Sequence, residues 1–591
     1  MLKRVLKSFW SSRKARAGLP DDEETFHRLR QAEDAMAGNA PDEALKICDQ
    51  ILQARPGSFS VRFLRGRALA ATGRAAEAID DLSDAVREGA QDPELLEWLG
   101  DCLSRCGRFA DAEACFRRVL SHDPYRVVAR EHLIELLDRQ DRAADVVAEL
   151  SLAVEYAPER VDWAQRLFDI FQRIGMFDEA LRIAQRTQAE YGESFASYFM
   201  LTMAHYTRRD MPAAIAAANR ALEFNERSAD VHLTLGKALI ALDRTEEGIA
   251  ACRRALKLRP DYPEADFHLG LIQLARQKFR EGWPLWERRF VMTGYRTKRP
   301  AEPRWTGNTL KGRILHVLSE QGLGDEIMYA SCFDEVIRSA GHCIIECEPR
   351  LETLFRRSFP AATVYPATDD ATKWDAVNKH QADVRIYSTS LPVHLRLSSK
   401  LFPAHNGYLR AAPEKVKYWQ ERLTGLPGKL KVGISWRGGT PFTFQERRTL
   451  DLGALLPIMS SRDVAWVNLQ YGNRAEEIED FFRKTGIQVA DWPEAIDGDY
   501  DETAALVSAL DLVISVCTSV VHLSGALGRP VWVMAPRVAE WRYGHQGETM
   551  PWYPSARVYR QPVVGDWDSV IGAVSEDLSR RLAVVTEKSF D

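Results

Sequence analysis

Long apolar runs are missing from this chain of 591 residues. No segment approaches the roughly 18 uninterrupted apolar residues that a membrane span needs. Cysteine is scarce and odd in number, nine in all and scattered, which fits reduced thiols in a cytoplasm better than a disulfide framework. Charge of one sign is also lacking: the net charge is -5, and no basic face argues for nucleic acid. The nucleotide fingerprints GxGxxG and GxxxxGK[ST] are absent, which argues against a dehydrogenase or a P-loop enzyme. What remains is ordinary for a soluble globular protein, 45% hydrophobic and 28% charged. The length leaves room for about three to five domains or one long repeat array.

Two local features call for little. The N-terminal MLKRVLKSFWSSRKARAG is basic, with Leu2, Val5, Leu6, Phe9 and Trp10 at near-helical spacing. It lacks an apolar h-region and a cleavage site, so it is read as a frayed basic extension or a weak surface-binding helix rather than a secretory signal. His342, Cys343 and Cys347 sit in a strand-like run, HCIIEC, without a second ligand pair, and no metal site is expected there.

The first half is periodic. Gly66, Gly100, Gly236 and Gly270 fall on one register of period 34, with Ala32, Ile134, Phe168 and Thr202 in the other slots. Twelve residues further on lie Ala44, Ala78, Ala112, Val146, Ala180, Ala214, Gly248 and Gly282. Small residues dominate both series because two helices must cross closely there. Pro56, Pro124, Pro158 and Pro260 end their units, where proline stops a helix. The pattern resembles the tetratricopeptide repeat over about eight units, residues 25–295, which implies an α-solenoid with a concave surface suited to a protein partner. A spacer role is the plainer alternative.

The period ends at Arg296. A polar, proline-containing linker covers 296–309, KRPAEPRW at its heart, and strands then alternate with helices. RILHVL (313–318) is followed by Ser319 to Asp325 and a helix expected from Glu326 to Ser339. KVGISW from Lys431 leads into Arg437-Gly438-Gly439-Thr440, and DLVIS from Asp511 leads into Cys517-Thr518-Ser519. These series predict two Rossmann-like halves, 310–410 and 411–591, with a cleft between them. In such sheets ligands sit beyond the carboxyl ends of the strands, where helix N-termini suit a phosphate.

The stretches LSEQGLGDEIMYA (318–330), VGISWRGG (432–439) with RRTLDL (447–452), VNLQYG (467–472), DETAALVSALDLVISVCTSVVHLSGALGRPVWVM (501–534), WRYG (541–544) and PWYPSARVYRQ (551–561) together resemble a GT-B glycosyltransferase. The likeness is to the heptosyltransferase-like family and to the tetratricopeptide glycosyltransferases related to protein O-GlcNAc transferase. The layout, repeats first and transferase second, resembles bacterial flagellin glycosyltransferases that use nonulosonic acids. The resemblance implies Asp325 as the base, with helix N-capping its plainer role. It implies Gly322, Gly324, Arg437, Arg448, Thr518, Ser519 and His522 around the donor phosphate, with Arg447 a lesser candidate. His522 lies one turn after Thr518 on the same face and would otherwise be a satisfied core histidine.

Many heptosyltransferase-like sequences carry aspartate where this chain has Cys517, and losing that carboxylate would favour an acidic donor such as a CMP-activated nonulosonic acid over ADP-heptose. Asp497-Gly498-Asp499 looks like the metal-binding DxD of the other main transferase architecture, but it is read as an acidic loop before a helix at Glu502 to Leu510. The resemblance thus implies no cofactor and no metal, with a nucleotide-sugar as substrate. The leading expectation is a cytoplasmic protein O-glycosyltransferase whose repeats capture the acceptor, with flagellin modified by a sugar such as pseudaminic acid as the best case. A transferase acting on a lipid-linked or envelope saccharide, and a repeat scaffold without turnover, are the alternatives.

Overall fold

Every helical hairpin in the first half turns on one residue in left-handed backbone conformation. These are Asn39, Gly73, Gly107, Asp141, Gly175, Arg209, Asp243 and Gln277, with φ between 54° and 80°. They share the 34-residue register, one per unit. Glycine, asparagine and aspartate tolerate that conformation, whereas Arg209 and Gln277 adopt it against the Cβ clash. The computed structural model describes residues 23–89, 92–157, 160–292, 295, 303–368, 382–439 and 445–587. The basic N-terminal extension up to residue 22, Thr440 and half of the linker, 296–302, lie outside them.

By contacts the chain divides into two compact units, Met1–Glu226 and Arg227–Asp591. The first holds six consecutive hairpins, from Glu23–Ala37 with Pro41–Ala54 to Phe195–Thr207 with Met211–Phe224. The close crossings inferred from the small residues are present: a Cβ on Gly66 would stand 2.6 Å from Leu82, and one on Gly100 2.6 Å from Phe116. Ile134, Phe168 and Thr202 occupy the same slots and are buried as well. Neighbouring repeats are also tied by ion pairs at a sequence separation of 29, Arg126 with Glu97, Arg142 with Glu113 and Arg160 with Glu131.

The second unit starts inside the repeats, with hairpins Ala229–Ala241/Thr245–Leu258 and Pro263–Ala275/Phe279–Trp286. The division therefore falls between Glu226 and Arg227 rather than at the linker. The physical reason is aromatic. Trp283 and Trp286 of the last hairpin are fully buried in the α/β core, and their indole N–H groups donate to the carbonyls of Arg396 (2.7 Å) and Thr389 (3.2 Å). Arg289, 0% exposed, follows them and grips both oxygens of Glu320 at 3.1 and 3.0 Å.

Two sheets complete this unit. The first is parallel, ordered β3-β2-β1-β4, from β1 (Ile314–Leu318), β2 (His342–Cys347), β3 (Thr363–Pro366) and β4 (Val384–Tyr387). The second contains β5 (Leu430–Ser435), β6 (Val464–Asn468), β7 (Val489–Ala490), β8 (Leu512–Val516), β9 (Val531–Ala535), β10 (Thr549–Met550) and β11 (Tyr553–Arg560). Its order is β10-β11-β9-β8-β5-β6-β7, parallel except for the β10–β11 pair. Both sheets reverse strand order in mid-sheet, next to β1 and next to β5. The carboxyl ends at such reversals form the crevice where ligands bind in open α/β sheets. The loops that follow β1, β5 and β8 are the three singled out from the sequence.

Candidate functional site

The loop after β1 turns at Gln321, whose φ is +70°, and Gly322 caps the helix Leu323–Tyr329. The helix thus starts earlier than expected and is broken before Phe333–Ser339 by a 3-10 turn at Ala330–Cys332. Asp325 is therefore not the N-cap. It lies in the first turn, where a carboxylate is favoured by the helix dipole. Its backbone N–H donates to the carbonyl of Gly322 at 2.9 Å.

From the second sheet, Thr518 caps the helix Ser519–Ala526 by accepting from the N–H of Val520 at 3.2 Å. The two helix starts meet directly. A Cβ on Gly324 would lie 3.2 Å from the His522 ring and 3.3 Å from the Ser519 Cα, so any larger residue would push the two helix starts apart by a few tenths of an ångström. Gly322 is on the exposed side of the same turn.

The partners of the remaining residues are specific. Asp325 accepts an ion-pair hydrogen bond from Arg542, 217 residues away. Burial works against the Arg542 charge, but the carboxylates of Asp325 and Glu540 outweigh it and raise its pKa. Arg448 is buried, pairs with Glu540 and also donates to the Cys517 carbonyl at 3.4 Å. Arg437 is half-buried and reaches Glu477 at 2.8 Å and the Asn473 carbonyl at 2.7 Å. Gln470 accepts from the backbone N–H groups of Trp436 (3.1 Å) and Arg437 (2.8 Å), which closes the end of β5. The Ser519 hydroxyl meets the Tyr500 hydroxyl at 2.7 Å, and Thr518 meets Ser515 at 3.0 Å.

His522 sits in the plainer of its two expected environments. It is 3% exposed, with Tyr553 at 3.1 Å from Nδ1 and Tyr543 at 3.4 Å from Nε2. Burial, with Arg542 and Arg448 nearby, pushes its pKa well below the usual range, so the ring is neutral. The Cys517 thiol is 0% exposed, and burial together with Glu540 pushes it up, so it remains a thiol. It carries no charge toward its surroundings, which include Arg448, Arg542 and Arg560. Next to Asp325, Glu326 is buried with its oxygens accepting from the Ser319 hydroxyl and the Glu348 N–H; burial pushes it up to about 7.

The acidic motif resolves into structure. Asp497 pairs with Arg474 at 2.7 Å, and Asp499 caps the helix Tyr500–Ala509, which begins two residues before the expected start. Asp501, 0% exposed, is held by Arg357 and Lys415. In HCIIEC, His342 meets Thr363 at 2.8 Å and both thiols are buried. Among the described residues no group of three or more His, Cys, Asp or Glu side chains is placed to hold a metal ion.

The residues that sequence reasoning missed as site members are Arg542, Glu540, Tyr543, Tyr553 and Gln470. Four of them lie in or beside WRYG and PWYP, where an arginine set among aromatics was the only local signal.

Profiles of the tetratricopeptide repeat match residues 29–93, 166–229 and 233–289, and a second such profile matches 69–125. The N-terminal part of the chain is thus a tetratricopeptide solenoid, followed by an α/β part. Protein FlbA of Caulobacter vibrioides is 28% identical over 588 residues, covering 92% of this chain and 94% of that protein. Among solved structures, the tetratricopeptide protein YrrB, titled as having an unusual peptide-binding site, covers 32% of this chain and 96% of its own at 16% identity and a TM-score of 0.28. The C-terminal part of a repeat protein from Cytophaga hutchinsonii covers 40% and 97% at 13% identity and a TM-score of 0.34. No helix among the described residues is long and apolar enough to cross a membrane.

Proposed function

We propose that the chain is a cytoplasmic protein O-glycosyltransferase of GT-B type, whose repeats hold an acceptor protein while the α/β part transfers a sugar to serine or threonine. The observation that carries this reading is the meeting of two helix N-termini, one bearing Asp325 and the other Thr518 and Ser519, at the strand-order reversals of two parallel sheets. A carboxylate there suits a base that takes the acceptor hydroxyl's proton, and the helix start with Arg448 suits the departing phosphate. The neutral Cys517 and its neighbouring arginines suit a donor that is itself an acid, such as CMP-pseudaminic acid, and flagellin is the acceptor we favour. Metal is not assigned a role.

Intact-mass measurement of co-expressed flagellin tests this. Wild type adds one or more sugar increments, and Asp325→Ala abolishes them. An increment that persists in the variant removes Asp325 from the mechanism, and no increment with wild type removes flagellin as acceptor. A scaffold without turnover is the second reading. It is favoured by one observation: Ser519, Thr518, Arg437 and Arg448 all already have protein partners.

A further inference from the structure

The 3-10 turn Trp541–Tyr543 sends three consecutive side chains to three different places. Tyr543 goes to His522, and Arg542 goes to Asp325. Trp541 goes to the last repeat hairpin, with its ring 5.5 Å from Trp283 (edge-on) and 5.8 Å from Trp286. Trp552 also lies 6.1 Å from Trp541, and its ring meets Tyr329 edge-on at 5.8 Å. Tyr329 is one helical turn beyond Asp325 on the same helix face. Both members of the Asp325–Arg542 pair are therefore attached to a single aromatic block. The repeats anchor that block through the Trp283–Arg396 and Trp286–Thr389 hydrogen bonds.

We propose that Trp283 and Trp286 are positioning residues for the Asp325–Arg542 pair, acting through Trp541 and Trp552. This rests on the reading of Asp325 as the base. Each of these four indoles is at least nine-tenths buried. Rings at these separations hold preferred relative orientations, so a shift of one is passed to its neighbours. The last hairpin is consequently part of the reacting unit as well as the end of a partner-binding array. The side chain it orients, Arg542, decides where the Asp325 carboxylate points.

The experiment uses the full chain, purified flagellin and CMP-pseudaminic acid. Trp283→Ala is expected to lower kcat by about 10²-fold, the cost of a misplaced reacting group, with the donor KM within about twofold. Trp283→Phe keeps a ring against Trp541 and recovers most of kcat. Wild-type kcat in Trp283→Ala, a raised KM alone, or no recovery with phenylalanine overturns the proposal. Hydrogen exchange supplies a readout that does not need transfer. In Trp283→Ala the exchange of the peptides spanning 541–543 and 323–329 rises by more than that of β6, which follows the α/β part as a whole; a rise at 323–329 no larger than at β6 overturns the proposal. Should Trp283→Ala not fold, Trp541→Phe is read by the same exchange: a rise at 323–329 larger than at β6 supports the proposal, and one no larger overturns it. If wild type transfers nothing, the functional reading fails while the exchange arm still decides the positioning.

Discussion

The six hairpins of residues 23–224 and the final hairpin of residues 263–286 have the same register but solve different packing problems. The first three of the six use small residues where helices cross, Gly66 under Leu82 and Gly100 under Phe116, and neighbouring repeats are tied by arginine–carboxylate pairs that leave the arginine part-exposed. The last hairpin also keeps a small pair, Gly270 and Gly282, but adds Trp283 and Trp286, buried against a different architecture. A repeat that meets only copies of itself can be specified by its period. A repeat that meets an α/β domain needs side chains specific to that surface.

This contrast is tested most strongly by removing the aperiodic contact. Trp283→Ala deletes a 0% exposed ring and leaves the Arg396 carbonyl without its donor. It is expected to cost about 3–5 kcal/mol, read as an earlier denaturant transition of the α/β signal with the solenoid signal unmoved. Next comes pH. Because burial raises Glu326 to about 7 in the folded protein, the folded state holds a proton that the unfolded state has released above the ordinary carboxylate range. Stability therefore falls as pH rises from about 4.5 to about 7, by of order 3 kcal/mol. Glu326→Gln should flatten that fall in urea titrations across the window, and a slope unchanged by the substitution refutes it.

Within the periodic part the effects are smaller. Gly100→Leu forces atoms into Phe116 and should cost about 1–3 kcal/mol by overpacking, seen as faster hydrogen exchange in its own hairpin and its neighbours. The smallest effect has the opposite sign. Arg209 holds a φ of +67° in a register where Gly73, Gly107 and Gly175 stand. Arg209→Gly should stabilise by about 1 kcal/mol, measured as slower local exchange, and faster exchange would show that the arginine's own contacts outweigh the strain.

Much of the fold was legible because its rules are local. The 34-residue register, the proline stops and the small crossing positions depend on residues within one unit and its neighbour. Strands β1, β5 and β8 and the glycine-bearing loop after β1 were visible for the same reason. Boundaries moved where capping competed: Gly322 rather than Asp325 begins its helix, and Asp499 starts the helix Tyr500–Ala509 ahead of Glu502. The site was legible only in part. Asp325, Thr518 and Ser519 could be placed at helix starts, but their partners could not, since Arg542 lies 217 residues from Asp325 and Tyr553 lies 31 from His522.

The sequence by itself determined a repeat array, an α/β part, and the loops that carry the two helix starts. Only the tertiary structure decided that His522 is a neutral ring between two tyrosines, that Cys517 is a sealed thiol among arginines, and that the last hairpin belongs with the α/β part. The reason is physical. Periodicity and turn chemistry act over a few residues, whereas burial and ion pairing depend on which distant side chains are brought to the same few ångströms.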